Sequence, residues 1–369
     1  MNRQQVLSRL AARGWPVLYS TGRLATWDIG SEAFASAPWF PGFIEDHQVT
    51  IDRPARMLLR CMRLPPLESL SFRLHARHLM GFCQKNDDTR RIAIVYNPEF
   101  LPYVQALRPI KTIFYIRDAY ADEGGWSQKR ENELRSLADL ADEIVVSARE
   151  MSKILPAKHQ ERVIEIPNGV DYVSFSAGHL TPEPTDLSDV PEPRIGYIGR
   201  LNRKVDWNLI RLIAESRPNW SIVFVGPVVE GEMALGGRQK EMDAVRRLKN
   251  VHLLGLKQHN QLPAYVNRMN VNIMPYDLIN APWMRSGYPL KLHEYLATGL
   301  PVVSAPLSTV LPFASVVAIA HGLDDWLRLL EEAIAGRGAG TPEQRRAVAR
   351  ENTWDARVDR LEQVLAGLL

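Results

Sequence analysis

The feature that most constrains this chain is an alternation of short apolar runs with helical patterns along most of its 369 residues. Near-continuous apolar runs separated by helix-length segments are typical of parallel strands that are buried on both faces. We therefore predict an α/β fold with two doubly wound, Rossmann-like domains, in which ligands bind at the carboxyl ends of the strands. The predicted strands are Pro16–Tyr19, Ile92–Tyr96, Thr112–Ile116, Glu143–Ser147, Val163–Ile166, Arg194–Ile198, Ser221–Val225, Val251–Leu254, Val271–Met274 and Pro301–Ser304.

The clearest interruption of this pattern is the segment Thr181–Pro193, which is rich in proline and acidic residues. Proline favours extended chain and removes backbone hydrogen-bond donors, so the segment is predicted to be an interdomain linker. The predicted division is an N-terminal domain of residues 1–180, a linker of residues 181–193, a C-terminal domain of residues 194–345 and a final helix of residues 346–369.

Composition narrows the class of protein. A net charge of +3 is small for this length and argues against nucleic-acid binding as the main activity. The two cysteines, Cys61 and Cys83, cannot form a disulfide framework, which favours a reducing compartment. The N-terminal segment does not resemble a signal peptide, and no apolar run approaches the roughly 20 residues that cross a bilayer. We expect a cytoplasmic protein that is soluble or attached peripherally to the inner face of the cell membrane.

The segment 286–303 carries the strongest signal for a ligand site. Pro289 suits the first turn of a helix, and Gly299 suits its left-handed end. The helix start at Leu290 and Lys291 would present free backbone N–H groups and a positive dipole end to a phosphate. Glu294, one turn later, could accept hydrogen bonds from a ribose diol. The alternative is an ordinary capped helix with a glutamate that faces solvent.

A second candidate site follows the strand Arg194–Ile198. Gly199 would let the backbone approach a ligand closely, and Arg200 and Lys204 would neutralise a diphosphate. Arg203 could take the place of Lys204, and the alternative for the whole cluster is a solvated loop. The glycines Gly196 and Gly199 do not form the Gly-x-Gly-x-x-Gly fingerprint, which argues against a nicotinamide-dependent oxidoreductase.

These motifs resemble the signature of GT-B glycosyltransferases, in particular the large, mostly retaining family that includes teichuronic acid and exopolysaccharide transferases. Glu294, Ala297, Gly299 and the run Pro301–Val303 match the second half of that signature. The run Pro289–Leu296 matches the Pro-x-Lys-Leu-x-Glu-Tyr-Leu form of some branches. Ser286 stands where the family has a first glutamate close to the donor sugar, so this position departs from the pattern.

The resemblance implies a GT-B architecture, with two Rossmann-like domains facing a cleft and a C-terminal helix that crosses back to the N-terminal domain. It implies a nucleoside diphosphate sugar bound by the C-terminal domain and an acceptor bound by the N-terminal domain. Substrate-binding positions in the C-terminal domain would then be Gly199, Arg200, Lys204, Gly226, Leu256, Lys257, Ser286, Leu290, Lys291 and Glu294, with Leu256 and Lys257 near the nucleotide base.

The N-terminal half offers two loops that follow predicted strands. One contains Gly22, in the segment Ser20–Arg23, and is a further candidate for substrate binding. The other contains Asp118, which we predict to be a catalytic residue together with Arg200 and Lys204. The alternative for Asp118 is a turn or helix-capping aspartate.

Residues 56–78 interleave arginines with Leu, Met and Phe. Basic amphipathic segments of this kind favour anionic membrane surfaces. The alternative is a pair of core-packed helices separated by Pro65 and Pro66, with their arginines in water.

We therefore expect a glycosyltransferase of cell-surface polysaccharide biosynthesis that uses a nucleotide-sugar donor and a glycan or lipid-linked acceptor. We expect no nucleic-acid partner. By the resemblance, it would retain anomeric configuration. The sequence has no Asp-x-Asp motif, so we expect no metal and no cofactor besides the co-substrate. The alternatives are a nucleotide-sugar 2-epimerase of the same fold and a non-catalytic binding subunit.

Overall fold

The computed structural model describes residues 2–61, 63–85, 90–117, 126–235 and 237–369. The chain divides into two compact units, and each has its own sheets. The first unit comprises Met1–Ile166 together with Val358–Leu369, and the second comprises Pro167–Arg357. The mixed α/β architecture with parallel sheets confirms the predicted fold class.

The first unit contains two sheets among its described residues. A three-stranded sheet has the order β1-β3-β2, in which β2 and β3 form an antiparallel hairpin, and a parallel four-stranded sheet has the order β4-β5-β6-β7. The hairpin was not predicted from the sequence. The strands are β1 Val17–Tyr19, β2 Gly42–Asp46, β3 Val49–Arg53, β4 Ile92–Val95, β5 Lys111–Ile116, β6 Glu143–Val146 and β7 Ile164–Glu165.

Helices surround these sheets. Their bounds are α1 Asn2–Ala12, α2 Glu32–Ser36, α3 Pro65–Lys85, α4 Leu101–Leu107, α5 Gln128–Leu140 and α6 Ala157–Gln160. The core of the parallel sheet lies in β5 and β6, where Ile113, Phe114 and Ile144 are fully buried. Helix α5 covers this sheet with an apolar stripe that contains Leu134 and Leu137.

The second unit is built on one parallel, six-stranded sheet of order β10-β9-β8-β11-β12-β13. Its strands are β8 Arg194–Ile198, β9 Ser221–Val225, β10 Val251–Leu253, β11 Val271–Met274, β12 Val302–Ser304 and β13 Ala318–Ile319. Its helices are α7 Tyr172–Ser176, α8 Thr185–Ser188, α9 Trp207–Ser216, α10 Glu230–Leu235, α11 Gln239–Arg246, α12 Leu262–Val266, α13 Lys291–Thr298, α14 Leu323–Ile334 and α15 Pro342–Glu351. Every residue of β8 and β9 is buried, as near-continuous apolar runs require.

The chain passes from the first unit to the second between Ile166 and Pro167. This boundary lies upstream of the segment predicted to be a linker. The segment 181–193 belongs to the second unit, because Leu187 and Val190 are buried in its core and Arg194 pairs with Glu183. The segment predicted to be an interdomain linker is therefore packed onto the second unit by two buried apolar side chains.

The last helix, α16 (Trp354–Leu368), begins in the second unit and belongs to the first from Val358 onward. Its Glu362 accepts a hydrogen bond from Trp15 Nε1 at 2.7 Å and pairs with Arg13. The C-terminal helix thus returns to the N-terminal unit, as the resemblance implied.

Candidate functional site

The sheet of the second unit has one position where its topology reverses. Counted within the unit, the strand order is 3-2-1-4-5-6, which is the order of dinucleotide-binding Rossmann sheets. The chain leaves β8 toward β9 on one side, whereas β11 continues toward β12 on the other. The loops that follow β8 and β11 flank the resulting crevice, where ligands of such sheets bind.

Two glycines with positive φ angles lie at the carboxyl ends of β8 and β9, beside this crevice. Gly199 and Gly226 follow β8 and β9, and their φ angles of +145° and +144° are unfavourable for other residues. The Gly199 N–H donates to Val225 O at 2.8 Å. A Cβ atom on Gly226 would lie 2.1 Å from Gly199 O, so the two backbones touch directly. Only glycine at position 226 allows this contact.

Lys291, the first residue of α13, points its ammonium group over the Gly199 turn. The side chain is buried, with Nζ 3.7 Å from the ring centroid of Tyr197 and 3.1 Å from the Tyr276 hydroxyl, to which it donates. A Cβ atom on Gly199 would lie 3.1 Å from Nζ. The sequence predicted the position of Lys291, but the two tyrosines that surround its ammonium were assigned no such role.

Burial lowers the pKa of Lys291 to about 7, and the nearby charge of Lys204 acts in the same direction while Glu294 opposes it. Burial likewise raises the pKa of Glu294 to about 8, and the charge of Lys291 opposes this rise. A desolvated ammonium group interacts more strongly with an anion than a solvated one does. The crevice therefore has an amine whose charged form an incoming anion would stabilise.

The start and end of α13 lie close to their predicted positions, except that Pro289 falls outside the helix. Leu290 is the N-cap residue and has no side-chain capping hydrogen bond, while Gly299 ends the helix in the left-handed conformation with φ +79°. Pro289 precedes the helix instead of occupying its first turn, and its carbonyl accepts from Leu292 N. The positive end of the helix dipole and Lys291 thus lie at the same place.

Arg200 and Lys204 extend from the loop after β8. The Arg200 side chain is 63% exposed and donates to Glu232 Oε1 at 2.8 Å. Lys204 is half-buried, and its carbonyl accepts from Asp277 N at 2.9 Å, which ties this loop to the one after β11. The guanidinium of Arg203 lies over the ring of Trp283 at 4.3 Å from its centroid.

The loop after β11 is fixed by a buried aspartate that the sequence reading missed. Asp277 is 3% exposed, pairs with Arg238, and accepts from Ile279 N, Asn280 N and Asn280 Nδ2 at 2.8–3.0 Å. These bonds hold the pKa of Asp277 below its usual value despite burial. The loop then forms a 3-10 helix, Pro282–Ser286, which ends at the half-buried Ser286. An aspartate followed three residues later by Asn280 is the turn signal that could have indicated this anchor.

The predicted base-contact residues lie on the turn after β10. Leu256 is 73% exposed, whereas the Lys257 ammonium pairs with Asp186 at 2.6 Å. Asp186 also accepts from the Tyr265 hydroxyl at 2.7 Å. The side chain of Lys257 is thus engaged with α8, whereas Leu256 is open to solvent.

In the first unit, Gly22 occupies a turn with φ +78°, and a Cβ atom there would lie 3.3 Å from the ring of Phe100. Its N–H donates to Ser20 Oγ at 3.0 Å, and Ser20 Oγ donates to Asp52 Oδ2 at 2.5 Å. Asp52 is buried and also contacts His75 Nε2 at 3.0 Å. This buried polar network, which fixes the turn at Gly22, was not predicted. The predicted catalytic residue Asp118 lies outside the described residues.

The basic segment 56–78 contains one described helix where the alternative interpretation had two. Helix α3 begins at Pro65, so both prolines lie in its first turn. Its exposed face has a leucine stripe, Leu67, Leu70 and Leu74, at helical spacing. The exposed Arg73 and Arg77 lie beside this stripe.

Within the described part of the chain, no helix is long and apolar enough to span a membrane, and no group of His, Cys, Asp and Glu is arranged to hold a metal ion.

Comparison with known proteins gives two matches at the level of sequence. Residues 192–327 match the family described as "Glycosyl transferases group 1". The putative teichuronic acid biosynthesis glycosyltransferase TuaH of Bacillus subtilis (strain 168) is 30% identical over 225 aligned residues, and the match covers 58% of this chain and 54% of the relative. The chain therefore spans about half the length of the curated relative it matches.

Solved structures match nearly the whole chain. A UDP-forming α,α-trehalose-phosphate synthase from Burkholderia xenovorans has a TM-score of 0.67 at 15% identity, covering 96% of this chain and 98% of its own. Anabaena HepE in complex with UDP and glucose has a TM-score of 0.69 at 13% identity, covering 99% and 95%. Sucrose-phosphate synthase from Thermosynechococcus elongatus has a TM-score of 0.70 at 15% identity, covering 99% and 92%. The chain has the GT-B fold, and the predicted resemblance to GT-B glycosyltransferases is confirmed.

Proposed function

We propose that this protein is a glycosyltransferase that moves a sugar from a nucleoside diphosphate sugar to a hydroxyl acceptor. The observation that carries the proposal is the buried ammonium of Lys291, which lies on the Gly199 turn at the first residue of α13. A glycine turn, a helix start and a desolvated cation at the switch point of a Rossmann sheet together favour a diphosphate. The family match over residues 192–327 covers the same part of the chain.

In this proposal the protein supplies the positive charge that the departing diphosphate requires. Lys291 and the backbone N–H groups near Leu290 would contact the phosphates, and Arg200 and Lys204 would approach from the loop after β8. Fixed charges in a low-dielectric crevice stabilise developing negative charge without reorganisation, which suits a metal-independent reaction. Glu294 would accept hydrogen bonds from the ribose, and the turn at the exposed Leu256 would contact the base.

Retention of anomeric configuration is part of the proposal by resemblance. In such a reaction the phosphate oxygen of the leaving group takes up the acceptor proton, so positive charge around that oxygen also controls its basicity. Ser286 offers a hydroxyl where the family has a carboxylate. We therefore expect weaker contact with the sugar hydroxyls, and the sugar class accepted here to differ from that of relatives with glutamate at this position.

The proposed acceptor is a glycan or lipid-linked intermediate of cell-surface polysaccharide assembly, reached at the cytoplasmic face of the membrane. Two observations support it. The relative from Bacillus subtilis is named for teichuronic acid biosynthesis. The leucine stripe of α3, with Arg73 and Arg77 beside it, has the composition of a helix face that binds an anionic membrane.

The donor proposal is tested by titrating UDP-, GDP- and dTDP-sugars into the purified protein, with UDP first because HepE was solved with it. The Lys291→Met variant should lose about tenfold or more in affinity for the diphosphate, since a charge-assisted contact is removed. Lys249→Met, at an exposed lysine of the same unit, is the matched control and should bind as the wild type does. Equal affinity of Lys291→Met and wild type would contradict the proposal.

Product analysis separates the alternatives. A transferase releases nucleoside diphosphate as the sugar passes to the acceptor or to water, so the release rate depends on the acceptor concentration. With an acceptor present, the sugar appears in a new glycosidic bond. A 2-epimerase would convert the donor without acceptor, and a binding subunit would bind the donor without turnover.

Membrane attachment is tested by co-sedimentation with vesicles of phosphatidylglycerol or of phosphatidylcholine. Replacing Leu70 and Leu74 with serine should reduce binding to the anionic vesicles, and salt should weaken the remainder. Leu311→Ser, at an exposed leucine of the second unit, provides the control. Wild-type protein that stays in the supernatant with phosphatidylglycerol at low salt would refute the membrane proposal alone.

A further inference from the structure

The first unit contains a cavity of about 420 Å³ that no part of the proposed reaction uses. It is lined by every residue of β1 and β4. Strand β1 is an end strand of the three-stranded sheet, and β4 is an end strand of the four-stranded sheet. The cavity therefore lies where two sheet edges face each other.

Apolar side chains dominate the lining. They come from α1, β1, α3, β4, α4 and α16, and include Leu7, Val17, Leu79, Ile94, Val104 and Leu365. The volume falls within the range of sites for small ligands. Apolar walls of this kind favour an apolar ligand, because a ligand that fills the space gains dispersion contacts along them.

The charged side chains of the lining are all of one sign. They are Arg3, Arg90 and Arg91, and no Asp or Glu is among the described lining residues. The Arg3 guanidinium lies 5.8 Å from the ring centroid of Tyr19, and Arg90 is exposed. An apolar chamber whose charged groups are arginines is complementary to a molecule with an apolar chain and an anionic head.

We propose that this cavity binds a single apolar chain of an amphiphile whose head is a phosphate. The site is separate from the crevice of the second unit, since all of its lining residues belong to the first unit. Binding here goes beyond the proposed transfer reaction and does not depend on it, so loss of one does not entail loss of the other.

Cys83 lines the cavity, whereas Cys61 does not, which provides a direct readout in the full-length protein. In the Cys61→Ser variant, the rate at which a small maleimide modifies Cys83 is measured with and without dodecyl phosphate below its micellar concentration. Saturating ligand should slow the modification about tenfold, by occupying the cavity in most molecules. In the Cys83→Ser variant, modification of Cys61 should be unaffected.

Further arms identify the ligand. Dodecyltrimethylammonium should protect Cys83 less than dodecyl phosphate does, and the double variant Arg3→Gln, Arg90→Gln should reduce that preference. Farnesyl phosphate compared with dodecyl phosphate distinguishes an isoprenoid from a linear chain. Ala93→Phe, which fills the cavity, should abolish protection by every amphiphile while circular dichroism and UDP binding remain those of wild type.

An unchanged rate at Cys83 would overturn the proposal, as would equal slowing at Cys61. Protection that survives Ala93→Phe in a folded protein would also overturn it, because the ligand would then bind elsewhere. Equal protection by the cationic and anionic amphiphiles would overturn the phosphate assignment.

Discussion

Replacing Lys291 with methionine should stabilise the unliganded protein while it impairs donor binding. The side chain is buried, and its pKa falls from 10.5 to about 7. Each pKa unit corresponds to about 1.36 kcal/mol, so burying this amine costs at most roughly 4 kcal/mol at pH 7. Methionine keeps the apolar stem and has no charge to desolvate.

The variant also loses favourable contacts, which reduce the net gain. The ammonium over Tyr197 contributes about 2 kcal/mol in a desolvated site, and its hydrogen bond to Tyr276 contributes about 1 kcal/mol. The expected net stabilisation at pH 7 is therefore about 1 kcal/mol, measured by urea unfolding.

The pH dependence tests the cause of this gain. Between the folded-state pKa of about 7 and the unfolded value of 10.5, the unfolded wild-type protein holds the Lys291 proton more tightly than the folded one. Wild-type stability therefore rises with pH over this range relative to the variant, by about 2 kcal/mol between pH 7 and pH 9. Glu294 acts in the same direction, because its raised pKa rises further once the charge of Lys291 is removed. The advantage of the variant should disappear by pH 9.

Unfolding is measured at pH 6, 7, 8 and 9 for wild type, Lys291→Met and the exposed control Lys249→Met. A difference between wild type and Lys291→Met that does not change with pH would refute the argument, because a solvated lysine would give that result. The same samples should show weaker UDP binding in Lys291→Met only.

Three further predictions concern the same unit. Gly226→Ala should lower the free energy of unfolding by about 3 kcal/mol or more, because the new Cβ would lie 2.1 Å from Gly199 O. Gly255→Ala, at φ +72° with open space around it, should lower it by only about 1 kcal/mol. Similar losses in the two variants would contradict the packing argument. Glu294→Gln should weaken UDP binding, and the ratio of its Kd to that of wild type should grow as pH rises through about 8, where the wild-type carboxyl ionises. The Kd values are measured by calorimetric titration between pH 7 and pH 9. A ratio that does not change over this range would count against a carboxylate that binds the ribose. Lys257→Met should leave the Kd for UDP within about twofold, since its ammonium is already held by an aspartate, and a tenfold loss would show that this side chain reaches the ligand.

The sequence by itself determined most of the strands. Arg194–Ile198, Ser221–Val225 and Val271–Met274 begin and end as predicted, because continuous apolar runs can be buried on both faces only as strands of a covered sheet. The helix that ends at Gly299 was also predictable, since its cap depends on local backbone conformation.

The hairpin β2–β3 was missed for a physical reason. Strand β2 has no buried residue, and β3 buries only Val49 and Asp52, so neither strand shows a continuous apolar run. The turn between them uses His47 and Gln48 at positive φ, which is uncommon for these residue types. Pairing with β1 stabilises it, and that pairing is a tertiary contact.

At the candidate site too, the sequence identified the residues, whereas the tertiary structure decided their environments. Motifs in the sequence identified Gly199, Arg200, Lys291 and Glu294 as candidates, but they did not distinguish the environments of these side chains. Only the tertiary structure places Lys291 between two tyrosines with a pKa near 7 and leaves Arg200 largely exposed beside Glu232. Local patterns fix backbone conformation, whereas desolvation depends on residues distant in sequence, and desolvation decides which cation is the stronger partner for a phosphate.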